Sequence, residues 1–533
     1  MIAIKKPGSL LAESPRRNAF ARAFHWLERC FDRAFGPGSN PLRQLGALGF
    51  HCFWIVTVTG IYVYVFFDTS VVGAYQSLET LSREQRYVGG VMRSMHRYAS
   101  DGFVVVMLLH LVRELAYGRF WGVRWFSWVS GVPLLWFAFA SGIGGYWLVW
   151  DQLAQFIGLA TTEWFGALPG FDISMVRNFL VADTLSDRFF SLLVFMHIAL
   201  PLFLLLGMWI HIQRITGART QPEAQLGWAT LGLFVLLSLV KPAVSQAPVD
   251  LSLEPLSLDF DWFYLFAYPG IYRYSATAVW YALGGLTMLL CAAPWLVRIP
   301  RLPVAKVDPA NCNGCGRCFA DCPYGAVMMQ PRSGPRFQYK LAVVLTDLCA
   351  GCGLCAGACP SSTPFRSADV LTTGIDMPQL PVGELRASME RAIEKLSGPA
   401  KVVVFGCDHG ASVQALAGPA VAALSLPCAG MLPPSFIEYA LRSGADGIMI
   451  AGCAEGDCEY RFGIELTRQR IEGAREPHLR SSVPDERVNL LWPYDSESDR
   501  VRYALDAFQA RLRTTGDAVH KLPRRKRKEV IHG

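Results

Sequence analysis

"MHRYASDGFVVVMLLHLVRE" (Met95–Glu114) is a largely apolar run that holds His96 and His110, fourteen positions apart. A single histidine in such a run can be a core residue satisfied by its neighbours, but ionisable groups inside a membrane-length apolar segment more often mark function. A second run, "RFFSLLVFMHIALPLFLLLGMWIHIQR" (Arg188–Arg214), repeats the separation with His197 and His211. Fourteen residues advance a helix by about 21 Å and return it to within about 40° of the same face. Two such helices running in one direction pair His96 with His197 and His110 with His211. Stacked bis-histidine sites inside a helical bundle are what two b-type haems require.

Two further runs add independent support. Gly46 and Gly60 are fourteen apart, and so are Gly131 and Gly145. A flat macrocycle between two helices presses its edges on the other two, where a missing side chain permits close approach. Glycines in membrane helices also serve ordinary packing, so the argument rests on their matching the histidine spacing.

The composition is uneven. Of 533 residues, 52% are hydrophobic and 17% charged, and twelve of the fifteen cysteines follow Pro300. Before Pro300 six apolar segments are long enough to cross about 30 Å of hydrocarbon: 46–67, 94–116, 126–148, 188–211, 227–245 and 276–297. The fold class expected is multidomain: an all-α transmembrane bundle of about six helices, then a small α+β ferredoxin domain and an α/β parallel-sheet domain. The divisions fall at 1–45 (an N-terminal arm), 46–300, 301–372, 398–515 and 516–533 (a basic tail). No cleavable signal peptide is expected ahead of the first span. In the arm, Phe20, Phe24, Leu27, Phe31 and Phe35 recur at helical spacing beside arginines, which predicts a helix on the membrane surface. Lys5, Lys6, Arg16, Arg17, Arg22, Arg29, Arg33 and Arg43 lie in this arm, and the second and fourth spans exit into Arg113, Arg119, Arg124, Arg214 and Arg219. The positive-inside rule then puts both termini in the cytoplasm of a multi-pass inner-membrane protein. In that reducing compartment cysteines hold metal rather than disulfides.

With these residues in view, about 20–297 resembles the cytochrome b of quinol:cytochrome c oxidoreductases, and "GYWLVWDQ" (Gly145–Gln152) is similar to the family's turn after the third helix. The resemblance implies that Arg93 contacts a haem propionate and that His96 and His197 hold the periplasm-side haem. "FDWFYLFAY" (Phe260–Tyr268) is similar to the family's PEWY segment at the outer quinol site, which implies that Asp261 accepts a quinol proton. A solvated loop acid is the plainer reading of Asp261. The chain also departs from the family. The inner quinone pocket's histidine and aspartate correspond to Thr216 and Ala224, and the arginine five residues before the ligand His197 is replaced by Leu192, with Arg188 one turn earlier.

"CNGCGRCFADCP" places Cys312, Cys315, Cys318 and Cys322 before Pro323, and "CAGCGLCAGACP" places Cys349, Cys352, Cys355 and Cys359 before Pro360. The doubled C-x2-C-x2-C-x3-C-P run is the bacterial two-cluster ferredoxin pattern, in which the fourth cysteine of each run crosses to the other cluster. Cys312, Cys315, Cys318 and Cys359 are thus assigned to one 4Fe-4S cluster, and Cys349, Cys352, Cys355 and Cys322 to the second. Structural zinc is the bland alternative. The insert with "FQYKLAVVLT" reads as a hairpin.

Beyond it, buried strands alternate with helices. "KVVVFGC", "VAALSLPC" and "GIMIAGCAEGDC" end in or beside Cys407, Cys428, Cys453 and Cys458. Ligands of open α/β sheets collect beyond the carboxyl ends of strands, so the four converge. Four thiolates suit zinc or an iron-sulfur cluster equally. The stretch Leu426–Tyr460 resembles the delta subunit of methyl-viologen-reducing hydrogenase, which implies a 2Fe-2S cluster, with zinc as runner-up. Many relatives carry an extra cysteine after the first ligand and a histidine after the last; "CDHGAS" lacks that cysteine, and Glu459 follows Cys458. Cys30, Cys52 and Cys291 read as small buried hydrophobes. The closing "PRRKRK" (Pro523–Lys528) fits anionic lipid or an acidic partner rather than nucleic acid, with a solubilising tail as the alternative.

The whole then reads as the membrane electron-transfer subunit of a quinone-linked oxidoreductase. Its cofactors are two haem b, two 4Fe-4S clusters, one 2Fe-2S cluster and a membrane quinone. No G-x-G-x-x-G follows a strand, so the donor is expected on a separate cytoplasmic flavoprotein, heterodisulfide-reductase-like or NAD(P)H-oxidising. A hetero-oligomer follows, with a dimer of protomers as one form. Quinol oxidation at the outer site with electrons sent inward is the rival, and a redox sensor or scaffold is a third class.

Overall fold

The computed structural model of the chain describes residues 19–168, 186–213, 218–253, 257–296, 303–332, 340–366, 371–494 and 497–514. Lys5, Lys6, Arg16, Arg17, Arg214, Thr216 and the basic tail lie outside the described residues. The chain divides into two compact units, one of Glu13–Arg298 and one built on Ile299–Gly533.

The first unit is helical. Its elements are α1 (Ala19–Phe35), α2 (Leu45–Phe66), α3 (Gly73–Arg83), α4 (Gly89–Ala116), α5 (Trp125–Val149), α6 (Gln152–Gly166), α7 (Asp187–Ile212), α8 (Ala224–Val240), α9 (Ala267–Arg273) and α10 (Ala276–Leu296). Helix α2 packs along α4, and α5 along α7. Cys52, Phe53, Phe103, Leu134, Leu204, Met208 and Phe234 build the core. The outward faces of α7 and α10 carry exposed Phe195, Leu202, Phe203, Trp209, Met288 and Leu289, as lipid-facing helices do.

Four helical stretches, Leu45–Phe66, Gly122–Val149, Asp187–Ile212 and Ala276–Leu296, are long and apolar enough to cross a membrane. The sequence reading expects six. The other two are helices at the expected places, but α4 carries Arg93, Arg97, Asp101, Arg113 and Glu114, and α8 is only 17 residues long. The turn after α5 follows from two residues. Trp150 takes the left-handed conformation with φ 57°, and Asp151 caps α6 by accepting from the Ala154 amide at 3.0 Å.

Helix α1 docks through a buried charge. Arg113 Nε donates to Glu28 at 2.9 Å, the Tyr117 hydroxyl donates to it at 2.6 Å, and Arg43 lies 3.8 Å away. Of the aromatic stripe, Phe24 turns inward while Phe20 and Phe35 stay exposed.

The second unit begins with β1 (Lys306–Val307), α11 (Arg317–Ala320), β2 (Val327–Pro331), β3 (Lys340–Val344), α12 (Leu354–Ala358) and β4 (Ile375–Asp376). Strands β2 and β3 pair antiparallel, Val327 opposite Val344, around the insert read as a hairpin; β1 pairs antiparallel with β4. After α13 (Val382–Glu394) come β5 (Val402–Cys407), β6 (Val421–Leu426), α14 (Ser435–Arg442), β7 (Gly447–Ala451), α15 (Gly463–Ile471), β8 (Val488–Leu491) and α16 (Ser498–Thr514). Strands β5 to β8 form one sheet in the order β6-β5-β7-β8, and each pair is parallel. Both faces are covered, so β5 and β7 are buried throughout.

Candidate functional site

The membrane unit brings its histidines together across the two helix pairs. His96 on α4 and His197 on α7 have ring centroids 6.2 Å apart. With metal–imidazole bonds of about 2 Å, two imidazoles on opposite faces of one iron have ring centres about 6 Å apart. His110 and His211 are likewise electrostatic neighbours.

Each of the four glycines faces one of the four histidines. A Cβ on Gly60 would lie 2.8 Å from Cε1 of His96, on Gly145 3.2 Å from that of His197, on Gly131 3.1 Å from that of His211, and on Gly46 3.8 Å from that of His110. The carbonyl one turn before the glycine takes up the ring's other nitrogen. His96 Nδ1 donates to Val56 O at 2.9 Å and His197 Nδ1 to Ser141 O at 3.0 Å. His211 bonds the Ser127 backbone and lies 3.1 Å from Ser130 Oγ. A carbonyl only accepts, so Nδ1 carries the proton and Nε2 keeps its lone pair for a metal. The residues present fit haem: a missing Cβ at each ring and a fixed tautomer at three of the four.

Arg93 is buried and its guanidinium is held by Ser82 Oγ and Ser245 Oγ, each at 2.6 Å, with Glu79 at 3.6 Å. Asp261 is part of a charged cluster that sequence reasoning missed. Arg97, next to His96, pairs with both Asp101 and Asp261, and the Tyr146 hydroxyl donates to Asp261. The other oxygen of Asp261 accepts from the Phe263 amide at 2.9 Å. The signal available was the spacing of Arg93, Arg97 and Asp101, each one turn from the next on one helix face.

In the second unit Cys312, Cys315, Cys318 and Cys359 line one cavity with Met329, Ala342 and Ile375. Cys322, Cys349, Cys352 and Cys355 form a second group of interacting thiols. Burial, reinforced by neighbouring thiols, pushes Cys318 and Cys352 up to about 12; buried sulfur of this kind becomes thiolate when it binds iron. The third group lies past the carboxyl ends of β5, β6 and β7. Cys407 and Cys453 have sulfurs 3.5 Å apart, and a Cβ on Gly463 would lie 2.5 Å from Cys428 Sγ and 3.2 Å from Cys458 Sγ. Among the described residues no three His, Cys, Asp or Glu side chains surround a single ion. The sulfurs of the third quartet are close neighbours, and four thiolates suit an iron-sulfur cluster or zinc. Cys52 is buried, while Cys30 and Cys291 are half-buried.

Comparison with known proteins assigns the parts. Residues 38–218 match the family "Cytochrome b/b6/petB", residues 311–363 the "4Fe-4S dicluster domain", and residues 402–516 "Methyl-viologen-reducing hydrogenase, delta subunit". The cytochrome match is shorter than the resemblance read from the sequence, and α8 to α10 lie beyond it. Cytochrome b6 of Euglena gracilis is 29% identical over 182 residues, 33% of this chain and 84% of that protein. Cytochrome b of Acanthamoeba castellanii is 29% identical over 180 residues, of which the chain spans 46% of its length. A solved "Hyperthermophilic respiratory Complex III" chain aligns with a TM-score of 0.41 at 19% identity, covering 48% of this chain and 76% of that one. One polypeptide thus joins a segment similar to cytochrome b, a segment similar to the 4Fe-4S dicluster domain and a segment similar to the hydrogenase delta subunit.

Proposed function

We propose that this chain is the inner-membrane subunit of a quinone-linked oxidoreductase, exchanging electrons between a cytoplasmic flavoprotein and the quinone pool. His96 with His197 and His110 with His211 hold two haems. Cys312, Cys315, Cys318 and Cys359 hold one 4Fe-4S cluster, Cys322, Cys349, Cys352 and Cys355 the second, and Cys407, Cys428, Cys453 and Cys458 a 2Fe-2S cluster. These groups supply one-electron transfer when bound. The protein's own work is to fix the rings and thiols, exclude water and manage a quinone proton at Asp261, with Arg97 and Tyr146 orienting that carboxylate. The observation that carries the reading is the fourfold pairing of one glycine with one histidine, two pairs at each of two depths.

An outward electron moves with a normal membrane potential, about 2.3 kcal/mol per 100 mV for a full crossing. Quinone reduction at the outer site therefore draws on the proton-motive force, and quinol oxidation there builds it. We favour a cytoplasmic donor feeding the quinone pool. Reductive titration of isolated membranes with quinol tests the direction: iron-sulfur signals that stay oxidised while the haems reduce agree with it, and ready reduction of the clusters by quinol reverses it. If replacing His110 leaves quinone-linked turnover intact and only disrupts assembly with partners, the chain is a scaffold instead.

A further inference from the structure

One of the fully buried large side chains of the second unit is a cation. Arg470 on α15 is 1% exposed, and its fork holds three backbone or acidic groups, each beside a predicted cluster ligand. Its Nη1 donates to Gly430 O at 2.8 Å, two residues past Cys428. Its Nη2 pairs with Asp321, the residue before Cys322, and reaches Leu354 O, the residue before Cys355, at 3.3 Å. Arg475 Nε binds the other oxygen of Asp321 at 2.8 Å. A parallel strap runs from Arg461, three residues past Cys458, whose Nη1 donates to Pro323 O at 2.8 Å; Arg461 is held at φ 58°, a conformation that costs energy for a side-chain-bearing residue.

Under these straps two glycines let the segments pack closely. A Cβ on Gly353, between Cys352 and Cys355, would lie 2.8 Å from Met431, and one on Gly430 would meet Leu354. A buried guanidinium costs several kcal/mol to desolvate; here Nη1 and Nη2 make the planar, fixed contact, while Nε has no partner among the described residues. A long apolar residue would fill this space at less cost. The placement therefore points to a role that needs the charge and the fork.

We propose that Arg470 is a positioning residue that locks the Cys407, Cys428, Cys453, Cys458 centre against the Cys322, Cys349, Cys352, Cys355 cluster, making these two the adjacent redox pair. The cluster on Cys312, Cys315, Cys318 and Cys359 is then one step further along the wire. One electron leaves one centre and enters the other, and no bond is made or broken. The inference rests on the cluster assignment proposed above. The positive charge beside Cys322 and Cys428 also raises the potential of both centres relative to an uncharged residue at that place.

The test uses the purified full-length protein with its clusters, read by iron and sulfide content, redox titration and the spin–spin broadening between the two reduced centres. Arg470→Met is expected to lower both midpoints and diminish the broadening; Asp321→Asn, which removes a negative charge, shifts the midpoints upward. Arg470→Lys keeps the charge and loses the fork, so midpoints stay close to wild type while the broadening falls. A purely structural role does not produce shifts of opposite sign. If Arg470→Met does not assemble, Asp321→Asn and Arg470→Lys decide. Unchanged midpoints and broadening in the assembled variants overturn the inference alone; wild-type protein with no third iron-sulfur signal overturns the cluster reading and this inference together.

Discussion

Gly60 on α2 stands directly against the imidazole of His96 on α4, so that a Cβ there would lie 2.8 Å from Cε1 of the ring. Side-chain carbons do not approach that closely without displacing the ring. The same construction recurs at 3.1 Å for Gly131, 3.2 Å for Gly145 and 3.8 Å, ordinary van der Waals contact, for Gly46. Glycine-to-alanine changes should therefore rank by gap. Overpacking costs about 1–3 kcal/mol, roughly a 5- to 150-fold loss of haem affinity at Gly60, with little loss at Gly46. Haem-to-protein ratios of the four purified variants measure the order, and equal losses at Gly46 and Gly60 contradict it.

Asp261 should be separable from haem binding. Its oxygens are engaged by Arg97, Tyr146 and the Phe263 amide, rather than by His96 or His197. Asp261→Asn keeps the shape and removes the base, a change that costs about a hundredfold or more where the group carries a proton. The expected result is a normal reduced haem spectrum with quinol-driven haem reduction slowed by that factor, and a wild-type rate disproves the role.

Arg97 serves two carboxylates, Asp101 and Asp261. Removing it strands both, and an uncompensated charge in such a site costs about 3–5 kcal/mol. Arg97→Leu should thus lower the unfolding temperature of the solubilised protein well below that of Asp101→Asn, which leaves the Arg97–Asp261 pair standing. Equal destabilisation of the two variants counts against the shared-cation arrangement.

The parts legible in the sequence are those whose partners are set by period. A fourteen-residue repeat fixes the depth and face of His96, His110, Gly46 and Gly60 because a helix is a rigid ruler, and the cysteine runs fix their sulfurs because two or three residues of loop leave little freedom. What could not be read depends on contacts between distant segments. Nothing in "GIELTRQRIEG" separates Arg470 from the half-buried Arg468 on the same helix; only the approach of Gly430 and Leu354 to Arg470 does. Arg97 and Asp101 lie within a span whose apolar content dominates its sequence pattern, and the charged stripe that keeps α4 from the apolarity of its neighbours shows only once the helix is folded.

The crossing of ligands between the two ferredoxin runs makes a selective prediction. Cys359 shares a cavity with Cys312, Cys315 and Cys318, and Cys322 interacts with Cys352 and Cys355. Cys359→Ser should therefore abolish the same electron-spin signal as Cys312→Ser, and Cys322→Ser the same one as Cys349→Ser. Signals that sort by sequence run, with Cys322→Ser matching Cys312→Ser, refute the crossing.

The docking of α1 should depend on pH through Glu28. Burial works against its charge, but the His25 hydrogen bond, Arg113 and Arg43 outweigh it and hold the carboxyl down from 4.5 to about 2. A carboxyl depressed in the folded state contributes stability that is present above its unfolded value and is lost as pH falls through the folded one. The window here runs from about 4.5 down to about 2, and the lost contribution is about 3 kcal/mol. Glu28→Gln removes the charge at every pH and leaves Arg113 buried beside a neutral amide, so it should be destabilised by a similar amount at neutral pH and have a flatter acid profile. Limited proteolysis at the α1–α2 connection, compared between wild type and Glu28→Gln from pH 7 to pH 2, reads the effect directly. Wild type should become as cleavable as the variant only at the acid end, and a variant as resistant as wild type at neutral pH shows that α1 is held by its apolar face instead.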